Sequence, residues 1–427
     1  MQTRCPRCGK ELQERDRDFP CPSCGAAVIS STADGGDPSR IPPPTIPSRT
    51  APPDSPGNFA GPPRDTFDDE EAIPPVVSIA VAEGPRWKAV LMVLQHLARL
   101  AGILVFFLAM ALSLAALVAG VPEVFRMAPE SERGAALYIL TPQPIAFAEL
   151  TGPSFLAWYA ALVAAILLSF ASIAWSERGR IRTFLALCVK RFRAPDRRSG
   201  DGFVQLPQLF LAVFFFDFIY TLVVEATGNA PRAPDFGEYP RWYLLFTFAH
   251  ASVYEELLAR TFLLGLPLLI AHAFAHASGE ASGRGLLEYL RCRTTKGLRG
   301  YFLGGGFGIG PLEALFLVGS SLMFGLAHVP GWDLWKVLPT FIAGLAFGYL
   351  FLRVGLHAAI ALHFGFDYLY LGLVLVPGFD ELWVVFLPLW LLVGAFYFGH
   401  YASQTLRWLR EIFSRYAESN TLPARPC

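Results

Sequence analysis

Charge is what this chain has least of. Asp, Glu, Lys and Arg make up 16% of its 427 residues, against about a quarter in an ordinary soluble domain, which excludes a solvent-covered globule as the main body of the protein. The 35 basic and 35 acidic side chains cancel, so nucleic-acid binding carried by bulk electrostatics is not expected. Cysteine is sparse beyond the first 24 residues: Cys188, Cys292 and Cys427 are scattered and form no disulfide framework. No HExxH motif occurs, which removes the usual zincin arrangement. The glycines of Gly304-Gly-Gly-Phe-Gly-Ile-Gly310 follow no strand pattern and lack a P-loop lysine, so they read as a flexible cytoplasmic loop. The polar, cysteine-bearing start of the sequence shows no cleavable signal peptide.

What the chain has in excess is apolar surface: 53% of its residues are hydrophobic and 36 are Phe. Eight apolar spans are read at roughly 97–120, 154–175, 205–226, 242–271, 312–330, 335–352, 355–376 and 382–400. Arginine and lysine cluster before the first span (Arg86, Lys88), after the second (Arg178 to Arg198), after the fourth (Arg284 to Arg299) and after the eighth (Arg407, Arg410, Arg415). The intervening loops hold Glu123, Glu130, Asp235, Glu238, Asp380 and Glu381. The positive-inside rule is met throughout if both termini are cytoplasmic. The expected fold class is therefore an all-α polytopic membrane protein of about eight transmembrane helices. No long internal repeat stands out, which weakens an inverted-repeat transporter reading.

Two units precede the spans. Cys5-Pro-Arg-Cys8 and Cys21-Pro-Ser-Cys24 are matched knuckles. Four thiolates at that spacing suit one tetrahedral zinc, so residues 1–27 read as a zinc ribbon whose folding energy comes from a structural Zn ion. A cytoplasmic location, reducing for thiols, favours metal over disulfides. Its mixed charges suit the docking of a cytoplasmic protein partner. Residues 28–85, rich in proline from Pro38 to Pro75 and acidic at Asp68-Asp-Glu-Glu71, read as a disordered tether. The membrane part divides into N-terminal helices (86–235), a core (236–375), and a last helix with a cytoplasmic tail (376–427).

Ionisable groups inside that core carry the functional signal. Glu255, Glu256 and Arg260 lie in an otherwise apolar run. Each charge near a bilayer centre costs roughly 2.5–3.5 kcal/mol, so the default reading is function. Four residues separate Glu256 from Arg260, which puts them on one helical face, while Glu255 points about 100° away. Arg260 is thus expected to hold Glu256 and leave Glu255 free to act as a base. A second cluster, Phe324-Gly-Leu-Ala-His328 before Pro330, offers an imidazole, a common metal ligand. The third, His363-Phe-Gly-Phe-Asp367, places a carboxylate on the same face as a histidine, where it orients the ring. Read singly, each cluster is also consistent with a self-satisfied packing group. Together they can activate a water and bind a divalent metal beside a polarised carbonyl.

The order Glu-Glu-x-x-x-Arg, Phe-x-x-x-His and His-x-x-x-Asp on successive helices resembles the CPBP intramembrane protease family, which includes CAAX prenyl endopeptidases and bacterial Abi proteins linked to bacteriocin immunity. The resemblance covers roughly residues 240–372. It implies that Glu255 activates the catalytic water, with Glu256 and Arg260 in support. It implies that His328 and His363 complete the site as ligands of a catalytic divalent metal, zinc foremost, or as stabilisers of the oxyanion. Asp367 stands where prenyl endopeptidases typically carry Asn, and an ionised aspartate accepts but does not donate. The implied substrate is a membrane-associated peptide or protein, cleaved at the bilayer. Two other classes use the same buried groups: a non-enzymatic binding or immunity protein, and a proton-coupled transporter. Gly319-Ser-Ser321 is a faint serine-protease signal that leaves the paired glutamates unexplained.

Three further expectations concern depth and periphery. Counted along straight helices at 1.5 Å per residue, Glu255 and His328 differ in depth by about 10 Å, unless the boundaries shift or tilt and a kink near Pro330 level them. His250 is a candidate extension of the site. His272 and His276 read as interfacial.

Overall fold

A computed structural model describes residues 3–4, 11–12, 86–131, 133–139, 144–179, 202–229, 231–280, 285–375 and 379–421. The chain divides into two units, Met1–Thr66 and Phe67–Cys427. In the first, strands β1 (Thr3–Arg4) and β2 (Glu11–Leu12) pair antiparallel. The four ribbon cysteines and the tether of residues 28–85 lie outside the described residues.

The second unit is mostly helical. Helix α1 (Arg86–Met127) leads to a hairpin of β3 (Ala135–Ile139) and β4 (Ile145–Leu150). Then come α2 (Gly152–Ser176), α3 (Gly202–Ala226) and a long helix, α4 (Arg241–Ser278). Short α5 (Leu286–Arg293) and α6 (Arg299–Leu303) precede α7 (Pro311–Leu326), α8 (Val329–Trp332), α9 (Val337–Arg353), α10 (Leu356–Leu375) and α11 (Phe379–Thr421). Five helices among the described residues are long and apolar enough to cross a membrane: Leu97–Glu130, Gly152–Ser176, Gln205–Ala226, Arg241–Ser278 and Leu334–Arg353. The other expected spans fall on α7, α10 and α11, and α7 is a shorter apolar helix. The protein is an integral membrane protein.

The outward faces fit that setting. Leu108, Leu168, Phe274 and Leu392 are each more than half exposed, a distribution that a bilayer tolerates and water does not. Lipid supplies no hydrophobic drive between helices, so close packing must hold the bundle. Aromatic layers provide it: Phe210 stacks on Phe366 with ring centroids 4.6 Å apart, and Phe364 on Tyr368 at 4.3 Å. Small residues let backbones approach. A methyl at Gly265 would overlap the Tyr301 carbonyl oxygen, so glycine there is what seats α6 against α4.

Three expectations are corrected. The unit is not all-α, because β3 and β4 pair, with a register shift at Leu137/Tyr138. The glycine run is no free loop. Gly304, Gly305 and Gly306 take φ of 69°, 86° and 84°, which only glycine adopts at little cost. That conformation lets the amides of Gly305, Gly306 and Phe307 cap the last carbonyls of α9 at Phe351, Arg353 and Leu352. His272 is not interfacial but 1% exposed. Its ring meets Tyr301 Oη at 2.9 Å and Glu313 Oε1 at 3.4 Å, and Glu313 also accepts from Arg293 and from the amide of Gly310, tying α4, α5 and α7 together.

Candidate active site

The motif helix is locally wider and underwound. Residues Ala251–Glu255 and Leu257–Gly265 are π-helical, a geometry that recurs at functional sites because it re-aims side chains. Here it presents two consecutive glutamates inward. Glu256 and Arg260 are both 0% exposed, and Arg260 Nε donates to Glu256 Oε2 at 2.9 Å. The guanidinium carbon lies 5.1 Å from the centre of the Phe324 ring and 5.8 Å from that of Phe347, so its charge is met by one carboxylate and two aromatic faces.

Both histidines are oriented through Nδ1. His363 Nδ1 is 3.0 Å from Glu256 Oε1, and His328 Nδ1 is 2.8 Å from the Phe324 carbonyl oxygen. Carbonyl and carboxylate oxygens only accept, so Nδ1 carries the hydrogen in each ring, an assignment made from these partners. Phe347 stacks on His363 at 4.9 Å, and Phe324 meets His328 edge-on at 4.9 Å. That leaves the two Nε2 atoms facing Glu255: His328 Nε2 lies 3.8 Å and His363 Nε2 4.0 Å from Glu255 Oε2. Asp367 Oδ2 is 3.4 Å from His363 Nε2 and 3.0 Å from Ser252 Oγ.

Glu255 itself is asymmetric. Its Oε1 accepts from the phenol of Tyr138 at 3.1 Å. Its Oε2 is buried and has no hydrogen-bond partner among the described residues. A bare buried carboxylate oxygen is rare and calls for an explanation. Here it is the atom that both imidazoles surround.

All six residues singled out in the membrane core thus meet in one cluster: Glu255, Glu256 and Arg260 from α4, His328 from the turn after α7, His363 and Asp367 from α10. The expected depth mismatch does not occur. Helix α4 runs to Ser278, past the expected end at 271, and Glu255 Oε2 lies 3.8 Å from His328 Nε2. His328 follows the end of α7 in a turn before Pro330 and meets it there. His250 does not extend the site: its Nδ1 accepts from Trp158 Nε1 at 3.0 Å, which makes it a packing partner of α2. Ser320 and Ser321 spend their hydroxyls on the Leu317 carbonyl, one helical turn back, so the serine signal carries no nucleophile here.

Tyr138 is the residue sequence reading missed. It lies between the first two spans, more than a hundred positions before Glu255, and only the short alternation Ala135-Ala-Leu-Tyr-Ile139 hints at a strand. Burial, and then the Glu255 carboxylate, push its phenol well above the usual tyrosine range, so it is a proton donor in hydrogen bonds and not a base.

The metal fit is partial. Two imidazole Nε2 atoms and Glu255 Oε2 face one another. Among the described residues, however, no group of three or more His, Cys, Asp or Glu is arranged to hold an ion.

Carboxylates and imidazoles, the side chains that serve acid–base catalysis, thus converge inside a helical membrane protein. Residues 237–369, about a third of the chain, match the family model described as Type II CAAX prenyl endopeptidase Rce1-like, and that segment encloses the six clustered residues. No curated protein and no solved structure matches the chain.

Proposed function

We propose that this protein is an intramembrane endopeptidase that hydrolyses a peptide bond of a membrane-associated substrate, with Glu255 as the general base. The observation that carries the reading is the bare Oε2 of Glu255, 3.8 and 4.0 Å from two imidazole Nε2 atoms. The family match supports protease activity, and a CAAX-type peptide is the first substrate to test.

The chemistry follows from the groups. Glu255 Oε2 takes a proton from water, and the water oxygen attacks the scissile carbonyl carbon. An imidazole that has taken a proton from solvent on Nε2 before the attack, and keeps it when the carbonyl re-forms, donates from Nε2 to the oxyanion. His363 is faced by Glu255, Glu256 and Asp367 and is fixed through Nδ1 by Glu256, so it suits that task, with His328 beside it. Glu255 then passes its proton to the departing amine nitrogen as the C–N bond breaks. Arg260 holds Glu256 in place, and Asp367 steadies His363 from the other side. Asp367 is an acceptor here, so no donation to substrate is assigned to it.

A divalent metal, zinc first, is a further proposal. His328 and His363 are the residues that would hold it, and it would polarise the carbonyl as a Lewis acid. No step above runs through it. Metal analysis of the full chain with Cys5, Cys8, Cys21 and Cys24 changed to serine tests this. An equivalent that survives there and is lost in His363→Ala supports the ion, and none in the four-serine chain overturns it. For the whole chain we propose eight spans with both termini cytoplasmic, a zinc ribbon on the four cysteines, and a cytoplasmic protein docked on that ribbon.

The test of function uses internally quenched CAAX-type peptides, farnesylated and unmodified, with the protein in bilayer nanodiscs. Wild type is expected to cleave, and His328→Ala and His363→Ala to lose activity while remaining folded. Wild-type rates in both variants would sink the mechanism. Ion-driven uptake lost in the variants, with no peptide cleaved by any of them, would indicate a transporter instead.

A further inference from the structure

Tyr138 and the catalytic helix are joined by a reciprocal clasp. The Tyr138 phenol donates to Glu255 Oε1 at 3.1 Å, and the phenol of the adjacent residue, Tyr254, donates back to the Tyr138 carbonyl at 2.8 Å. The two rings meet edge-on with centroids 5.3 Å apart. A second tyrosine on α4, Tyr243, reaches the Gly134 carbonyl at 3.4 Å, and Arg133 stacks over Tyr239 and Tyr243 at 5.3 and 5.2 Å. The start of β3 is therefore fixed to α4 at several points. Only one of these contacts touches the reacting carboxylate.

The match to the protease family begins at residue 237. Tyr138 comes from outside it, from a hairpin between two helices that the matched segment does not contain. A two-stranded hairpin is marginal by itself, so its conformation depends on this anchorage. The residues of β4 confirm the dependence: Ile145 and Phe147 are 60% and 62% exposed, and the strand has no buried face of its own.

We propose that Tyr138 is a positioning residue for the catalytic base, supplied by the β3–β4 hairpin: by occupying Oε1 it fixes the rotation of the Glu255 carboxylate and directs Oε2 at the two imidazoles. A carboxylate has two equivalent oxygens and a soft terminal torsion, which unaided does not select one face. Glu256 solves the same problem with two partners, Arg260 on Oε2 and His363 on Oε1. Among the described residues Glu255 has one hydrogen-bond partner, Tyr138 on Oε1. The phenol keeps its proton throughout. Water's proton goes to Oε2 and on to the leaving amine, and the Tyr138 bond to Oε1 persists. This role rests on the endopeptidase reading given above.

Tyr138→Phe is the decisive variant. It keeps the ring against Tyr254 and the backbone carbonyl that Tyr254 uses, and it removes only the bond to Glu255. The expected result is a kcat lower by about 10- to 100-fold, the size of one hydrogen bond to a charged group, with KM within about twofold of wild type because no substrate contact is lost. Tyr243→Phe is the control. It loosens the same hairpin without touching Glu255 and is expected to lower the melting temperature while kcat stays near wild type. Equal losses of kcat in the two variants would reduce Tyr138 to a structural anchor and overturn the proposal. So would a wild-type kcat in Tyr138→Phe. Glu255→Gln separates this failure from failure of the underlying reading. If Glu255→Gln is inactive and Tyr138→Phe is not impaired, only the positioning role falls. If Glu255→Gln cleaves normally, or wild type cleaves none of the peptides, both fall.

Discussion

Glu255→Gln is expected to lower kcat by on the order of 10²–10⁴-fold, the usual contribution of a positioned general base, while the protein stays folded. The amide is nearly isosteric with the carboxylate. Its oxygen can still accept from Tyr138, as Oε1 does at 3.1 Å. What it cannot do is take a proton from water at the position of Oε2, the oxygen with no hydrogen-bond partner among the described residues. Folding is expected to survive because Glu255, unlike Glu256, makes no short bond to a cation. The measurement is steady-state cleavage of a quenched peptide together with thermal unfolding in the same nanodiscs. Loss of activity with an unchanged melting temperature is the expected pair.

Arg260→Met is expected to show the opposite pattern, a large loss of stability of about 3–5 kcal/mol. The reason is the isolation of Glu256. Both side chains are 0% exposed and bonded at 2.9 Å, so removing the guanidinium leaves a buried carboxylate whose remaining hydrogen-bond partner among the described residues is the His363 ring. The double variant Glu256→Gln/Arg260→Met removes charge from both partners and is expected to recover most of the stability, since a buried ion pair rarely exceeds an apolar replacement. It is not expected to recover activity, because the amide steadies the His363 ring less well than the ionised carboxylate. Thermal unfolding of the single and double variants gives the coupling directly. A double variant no more stable than Arg260→Met would show that the pair is not what holds this helix face.

Both expectations rest on the pairing of Arg260 with Glu256 and not with Glu255, and that pairing was legible in the sequence. The spacing of four between Glu256 and Arg260 reports a shared helical face whether the helix is α or, as here, locally π. The i to i+4 relation of His363 and Asp367 was legible for the same reason. Periodicity did not determine which atoms of three helices would meet. The depth of Glu255 against His328 depended on where α4 ends, and helix ends inside an apolar run carry no strong stop signal between Ile270 and Ser278. The hairpin was harder still. Its strands have five and six residues, flanked by helices whose apolar signal dominates any window that includes them. Tyr138 gains its meaning only from a contact across 117 positions. The glycine run shows a converse error: a composition that reads as flexible is fixed once its amides find the end of α9.

The remaining core follows from simpler rules. Phe324 appears in the sequence as the helical neighbour of His328, and in the structure it lines three partners at once, the rings of His328 and His363 and the Arg260 guanidinium. An aromatic wall of this kind lowers the local dielectric on its side of the charge cluster and strengthens the interactions there. Gly348 faces the same region, where a methyl would press on Leu317.

The central claim is that a water activated by Glu255 cuts a peptide bond in the membrane. Its most direct measurement is mass spectrometry of a CAAX-type peptide incubated in heavy-oxygen water with the nanodisc-reconstituted protein. With wild type, the expected result is a single cut whose new carboxylate carries one solvent oxygen, and with Glu255→Gln no product on the same timescale. A product formed at equal rates by both proteins, or an intact peptide in both, would contradict it.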